Sequence, residues 1–453
     1  MRSRIATVSL TLIALLSGGV VPAISGGLEE SARQALRGGP AEAAAAIEAL
    51  RHAGPAGMNA LLAACPDGSC RNAQETLDKV CGVRDCADIR LFWYTDLEAA
   101  KAAARAAGKP ILSLRLLGRL DEELSCANSR FFRTVFYKNR SINRLLRDRY
   151  VLYWRSVRPV PRVTIDFGDG NRIEQPLTGN SIHYVLDSKG RLLEPLPGLY
   201  GPKAFELALQ EAEEAARVAT PMEDPGFAVW ASRRYMRELD ARAAAFSRDL
   251  KEIAPARQAR GTAPGIRLAA FRSEEETRPE KGDTPEKVRD PWAVLMATPG
   301  LTTDRISVGG GQTGAKITYE QFLVNQLLKV NDEQLDNLAR LRRPGIHLDG
   351  DSRAFMLRKQ GVTDPESAAR LIDNFETSMA RDEVINQYRY SPVILSRLSG
   401  STGDGILEDL EALNLWVYKD VFQTPLDDPW LGLVPKDTYG ALPAWTHTEA
   451  PRP

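Results

Sequence analysis

The chain has 453 residues, and its 59 lysines and arginines equal its 59 acidic residues. That length exceeds one core of ordinary size, so two to three domains are expected. The even balance supplies no global field for nucleic acid or an anionic membrane surface, and nucleic acid is excluded as a partner.

The N-terminus joins basic Met1-Arg2-Ser3-Arg4 to an apolar run over 5–21 and a small-residue stretch, Ala23-Ile24-Ser25-Gly26. This pattern reads as a signal peptide over residues 1–26. No Cys follows it, which argues against lipid attachment. No later segment is long and apolar enough to span a bilayer, so the mature chain is expected in the periplasm or outside the cell, with no stable membrane insertion.

Residues 27–92 read as a helical, disulfide-braced segment. Apolar residues fall at helical spacing over 43–50 and 58–62, between breaks at Gly38-Gly39-Pro40 and Gly54-Pro55. Two cysteine pairs follow, Cys65 with Cys70 and Cys81 with Cys86, flanking an expected helix over 72–79. A zinc site would need all four thiolates in tetrahedral array, and gaps of four residues are looser than the usual two. Export favours structural disulfides, with three connectivities open. The fifth cysteine, Cys126, is left over.

From 93 to 220 strand and helix alternate. Residues 96–107 form an expected helix ended by Gly108-Lys109-Pro110, and 111–117 a buried strand. Helical periodicity at 130–136 and 142–149 precedes a strand at 150–154. Gly168-Asp169-Gly170 marks a hairpin between 163–167 and 172–177. A second hairpin joins 182–186 to 191–193, and a helix over 202–218 closes the region. The pattern predicts an α/β domain, a mixed sheet with helices on both faces.

The rest reads as a mostly α-helical region. A charged amphipathic helix fills 227–250 within the segment 221–254, and residues 255–290 form a linker rich in Pro, Gly and charge. Within 291–453, helices are expected over 319–342, 352–360, 365–388, 392–398 and 405–422. A Pro-rich strap follows from 424.

Trp93, the acidic Ala-rich helix and Gly108-Lys109-Pro110 open the middle domain. Without a gap from Cys126 to Val151, the apolar positions Ile142, Leu145, Leu146, Tyr150 and Val151 follow. Later come Val185-Leu186-Asp187, Gly190 and Gly198. In these features residues 93–215 resemble the thioredoxin-like superfamily. The resemblance implies that Cys126 stands in the nucleophile's place and Ser129 in the resolving cysteine's, a C-x-x-S in place of C-x-x-C. Ser181 falls at the substrate-side position that the family gives to a cis-proline, and Ser125 replaces a tryptophan. The loop 118–125 is lengthened and the hairpin over 163–177 is extra.

A thiolate is the reactive form of cysteine, and a helix N-terminus favours it through free amides and the macrodipole. Ser129, one turn on, is placed to offer its hydroxyl to the sulfur. Arg130 and Arg133 add positive potential, which Asp121, Glu122 and Glu123 oppose. A dithiol site resolves its mixed disulfide with its own second thiol, and Ser129 cannot do so. The first expectation is therefore monothiol thiol-disulfide exchange or thiol tethering through Cys126, with protein thiols, disulfides or a small thiol as partners. The alternative is a non-catalytic binding or scaffold protein built on a redox-inactive thioredoxin fold, whose helical region engages a protein partner. Buried free cysteine is common and inert.

No cofactor or resident metal is called for. The histidines His52, His183, His347 and His447 are scattered without ligand spacing and read as surface or packed residues. The glycine run over 309–316 lacks the Gly-Lys-Ser/Thr of a phosphate loop, and 400–403 lacks the spacing of a nucleophile elbow. Trp416, Tyr418, Phe422 and Trp430 read as a helix face plus strap making a core.

Overall fold

The computed structural model describes residues 21–66, 70, 72–176, 180–253, 323–325, 327–400 and 409–428. The first 20 residues of the expected signal peptide, the linker, the glycine run, Trp430 and His447 lie outside them. The chain divides at residue 92 into two units.

The first unit is helical: α1 (Val21–Arg37), α2 (Pro40–His52), α3 (Pro55–Ala64), α4 (Ala73–Cys81) and the single turn α5 (Cys86–Ile89). Pro40 and Pro55 each open a helix, where a missing N–H costs nothing. Ala46, Leu50, Met58, Leu61, Leu77 and Val80 form the core. The cysteines pair within each short loop, Cys65 with Cys70 and Cys81 with Cys86, which decides among the three connectivities. Asp78 accepts from the Cys86 N–H (2.8 Å) and from Arg84 (2.9 Å), tying α4 across the second disulfide loop. Arg51 donates to the carbonyls of Lys79 and Val80, filling acceptors that the end of α4 leaves open.

The second unit is mixed α/β. Its elements are β1 (Trp93–Tyr94), α6 (Leu97–Ala107), β2 (Ile111–Leu117), α7 (Ala127–Val135), α8 (Arg140–Arg149) and β3 (Val151–Arg158). Then come β4 (Arg162–Asp166), β5 (Arg172–Pro176), β6 (Ser181–Leu186), β7 (Leu192–Pro197), α9 (Pro202–Ala219) and α10 (Asp224–Ile253). The main sheet runs β1-β3-β2-β6-β7, with β1, β2 and β3 parallel, β6 antiparallel to β2, and β7 antiparallel to β6. β4 and β5 pair only with each other, in a separate hairpin. Local chemistry sets the boundaries. The Asp96 carboxylate caps α6 at the Ala99 N–H (2.7 Å), Gly108 ends it in the left-handed region, and Asp187 folds the β6–β7 turn by accepting from the Lys189 and Arg191 amides.

One face of the sheet is aromatic. Phe132 of α7 and Phe205 of α9 enclose His183 of β6 at ring separations of 4.5 and 5.2 Å. The other face carries Ser113 and Arg115 of β2 beside Tyr184 and Ile182 of β6.

The remaining helices are α11 (Asp332–Arg342), α12 (Gly350–Gln360), α13 (Pro365–Ile385), α14 (Ser391–Ser399) and α15 (Leu410–Trp416). The single helix expected over 319–342 is broken at 328–331, because Asn331 and Gln334 cap one another reciprocally and start α11 afresh. The gap expected between 388 and 392 is instead a widened π turn, Asn386–Tyr390, running into α14. Pro392 has no N–H to give to Tyr388, and the wider turn absorbs the loss. Another π turn, Val417–Val421, follows α15.

Buried polar contacts hold these helices to the sheet. Glu383 of α13 accepts from the Gly201 N–H at the head of α9 (2.7 Å), and Asn386 donates to the Leu199 carbonyl (2.7 Å). Tyr235 of α10 donates to the Leu192 carbonyl (2.7 Å), beside Glu194, which holds Arg234 and Arg242.

Gly198 has a φ of 70°, and a Cβ there would overlap the Asn386 amide. Gly198→Ala should therefore destabilise the second unit by about 2–4 kcal/mol, from left-handed strain plus overpacking. All seven tryptophans lie at or after residue 93, so the denaturant midpoint of tryptophan fluorescence measures this unit alone. An unchanged midpoint would contradict the packing described.

Candidate functional site

Cys126 caps the N-terminus of α7, and its own N–H is fixed to the Leu117 carbonyl (3.1 Å), at the end of β2. β6 begins at Ser181, so the two residues meet at the same end of the sheet. The Cys126 Sγ and Ser181 Oγ are 2.9 Å apart. Both residues are fully buried.

Ser129 is buried one turn along α7, but its hydroxyl does not reach the sulfur. It donates to the Cys126 carbonyl (2.8 Å), with Ser125 Oγ at 2.7 Å. A serine in the first turn of a helix bonds readily to a nearby backbone carbonyl, and that local bond wins here. The hydroxyl at the thiol is thus that of Ser181.

The acidic residues expected to oppose Arg130 and Arg133 are paired with other cations. Asp121 pairs with Arg119 (2.7 Å), Glu122 with Arg119 and Arg162 (both 3.6 Å), and Glu123 with Lys359 of α12 (3.0 Å). Burial, then the neighbouring Arg133, lowers the Arg130 pKa, while Cys126 and Glu123 pull it the other way. Burial raises the hydroxyls of Tyr137 and Tyr418 well above their usual range, and the charge of a Cys126 thiolate adds to both.

Tyr418 comes from the π turn after α15. Its hydroxyl donates to the Asn180 carbonyl (3.2 Å), next to Ser181, and Asn180 donates back to Thr424 Oγ1 (3.2 Å). Tyr418 and Phe422 pack edge to face at 5.3 Å, and both are buried. The reach of Tyr418 to Asn180 has no signal in the sequence. Its helical spacing speaks only of burial.

Behind the thiol, the Tyr137 hydroxyl and His183 Nε2 are 2.7 Å apart, both fully buried. No partner of His183 Nδ1 is present among the described residues. Burial lowers the His183 pKa from 6.5 to about 3, so the ring is neutral. His52 and His347 lie elsewhere, and among the described residues no group of three or more Cys, His, Asp and Glu could hold a metal ion. A recess of about 460 Å³ lined by Lys109, Arg149, Ser188 and Thr220 lies at the opposite end of the strands. It has no part in the thiol's chemistry.

Among the described residues no helix is long and apolar enough to cross a membrane. Comparison with family models, curated proteins and solved structures gives no match.

A histidine whose folded pKa is depressed binds its proton in the unfolded state first. Its contribution is intact above pH about 6.5 and is lost as pH falls towards about 3. The loss reaches at most about 4–5 kcal/mol across that window. His183→Gln, which retains a polar partner for Tyr137, should flatten the stability curve between pH 6 and about 4. Parallel curves for the two proteins would show that His183 does not titrate as its burial requires.

Proposed function

We propose that this chain is an exported protein whose middle domain is a thioredoxin-like scaffold, with Cys126 kept as a closed, single thiol rather than an open redox centre. The strand order and directions of the main sheet support the family reading. So does the thiol at the head of α7 facing the first residue of β6. The observation that carries the function is burial: Cys126 has no exposed surface and is in contact with Ser181. Disulfide exchange needs a thiolate to meet a sulfur in line, and a thiol without exposed surface gives no such approach. The work of such a domain is docking, in which the fold and its attached helices present a surface to a protein partner. Fold by itself names no activity, so the partner is a matter for experiment.

Monothiol exchange or tethering is the second reading. It is favoured by the helix N-terminus at Cys126 and by the nearby Arg130, and Ser129 rules out self-resolution in either case.

Maleimide labelling of the oxidised full-length protein separates the two. Under native conditions Cys126 should react at least about 100-fold more slowly than in denaturant, because reaction waits on opening. Native labelling as fast as that of the unfolded chain would overturn the closed-thiol reading in favour of exchange. Mixed disulfides recovered from the wild type should then vanish in Cys126→Ser.

A further inference from the structure

We propose that the hairpin β4–β5 is a self-association site, at which the free edge of β4 pairs antiparallel with β4 of a second copy of this chain, about a two-fold axis at Thr164. The inference is independent of the state of Cys126.

The hairpin stands apart from the main sheet, its two strands paired only with each other. A lone two-stranded hairpin is marginal in water, and further strands or a covered apolar face stabilise it. Its two faces differ in character. Ile165 lies opposite Ile173 and shares a face with Phe167, while Arg162, Asp166, Arg172 and Glu174 lie on the other. Ile165, Phe167 and Ile173 are 43%, 57% and 43% exposed, three large apolar side chains on one small element. Such a patch marks a contact surface.

The edge of β4 identifies the partner. The Phe167 N–H points into the hairpin, to the Asn171 carbonyl (3.1 Å), and this direction alternates along a strand. Arg162, Thr164 and Asp166 therefore turn their amides and carbonyls outward, and among the described residues no backbone group outside the hairpin bonds to them. The run Arg162-Val163-Thr164-Ile165-Asp166 is self-complementary. Antiparallel pairing with Thr164 opposite Thr164 sets Arg162 of each copy opposite Asp166 of the other, and Val163 opposite Ile165 on the apolar face. Opposite charges directly across an antiparallel pair stabilise it, and like charges oppose it. Within each hairpin Asp166 holds Arg172 (2.8 Å) and Arg162 holds Glu174 (3.2 Å). Across the joined strands, Arg172 and Asp166 of one copy and Arg162 and Glu174 of the other thus alternate in sign.

The outer edge of β5 has no such match. Pro176 offers no N–H, and self-pairing about Glu174 would set two carboxylates against one another. The β4 contact is small beside a permanent interface, so association belongs in the micromolar range, ~10–100 µM.

Sedimentation velocity of the full-length protein between about 5 and about 500 µM tests this. The wild type should pass from monomer to dimer. Thr164→Pro should stay monomeric with an unchanged tryptophan unfolding midpoint, since proline there removes only an outward N–H. Arg162→Asp and Asp166→Arg each set like charges opposite one another in a self-pair, and each should associate at least about tenfold more weakly than the wild type. An equimolar mixture of the two variants restores opposite charges at both positions and should dimerise as the wild type does. Asp166 also accepts from the Gly168 N–H in the turn (2.9 Å); that bond is lost both alone and in the mixture, so restoration reads the interface. A wild type that stays monomeric, dimers that survive in Thr164→Pro or in both charge variants, or a mixture no stronger than its components would overturn the proposal. If Thr164→Pro fails to fold, the mixing result decides.

Discussion

Arg115 places a permanent positive charge inside the second unit, and the arrangement of that unit answers to it. A central strand is the position where an unpaired charge costs most, and an arginine cannot escape by giving up its proton. Its solution is local on one side, through Ser113 and the Tyr153 ring, and distant on the other, through Glu411. The carboxylate comes from a helix far along the chain, so one sheet face is completed only when the C-terminal helices are in place. Buried ion pairs are poor sources of net stability, but they discriminate strongly between registers, since a misplaced helix leaves the charge alone.

The same logic recurs where the other helices join the sheet. Glu194 on β7 holds Arg234 and Arg242 of α10, and Glu383 of α13 takes the Gly201 N–H that opens α9. Burial raises the pKa of both carboxyls, and the arginines in the first case and the backbone N–H in the second oppose that rise. Each join is polar and buried, a combination that specifies position more than it adds affinity. The helical region is in this sense part of the fold that surrounds the thiol, and its contacts reach the sheet from β2 to β7.

Around Cys126 the polar groups are short hydroxyls and neutral rings rather than charges. Ser181 meets the sulfur, Tyr418 bonds the carbonyl of Asn180 next to Ser181, Tyr137 bonds a His183 kept neutral by burial, and the acidic residues upstream are engaged with arginines and a lysine. Such surroundings suit a thiol that is held rather than used. They also explain why Ser129 matters less than its place in the sequence suggests, for its hydroxyl is committed to Ser125 and the backbone.

Local rules made much of the second unit legible from sequence. Asp96 and Gly108 bound α6, the β6–β7 turn follows from Asp187 and Gly190, and the alternation of β2 puts Ser113 and Arg115 on one face because side chains in a strand repeat every two residues. Where sequence reading went astray, a second local signal competed with periodicity, as the Asn331–Gln334 cap does inside 319–342 and Pro392 does beside the π turn. Cys126 and Ser181 were legible as opposed positions only through a family pattern. Tyr418 on Asn180, Glu411 on Arg115 and Asn386 against Gly198 were not legible at all. Helical spacing tells that such residues are buried and is silent on what they meet, since partners hundreds of residues apart are chosen by packing. The sequence by itself determined that one cysteine is left over from two close pairs; the tertiary structure decided that this thiol is closed, because only packing of distant segments can bury it.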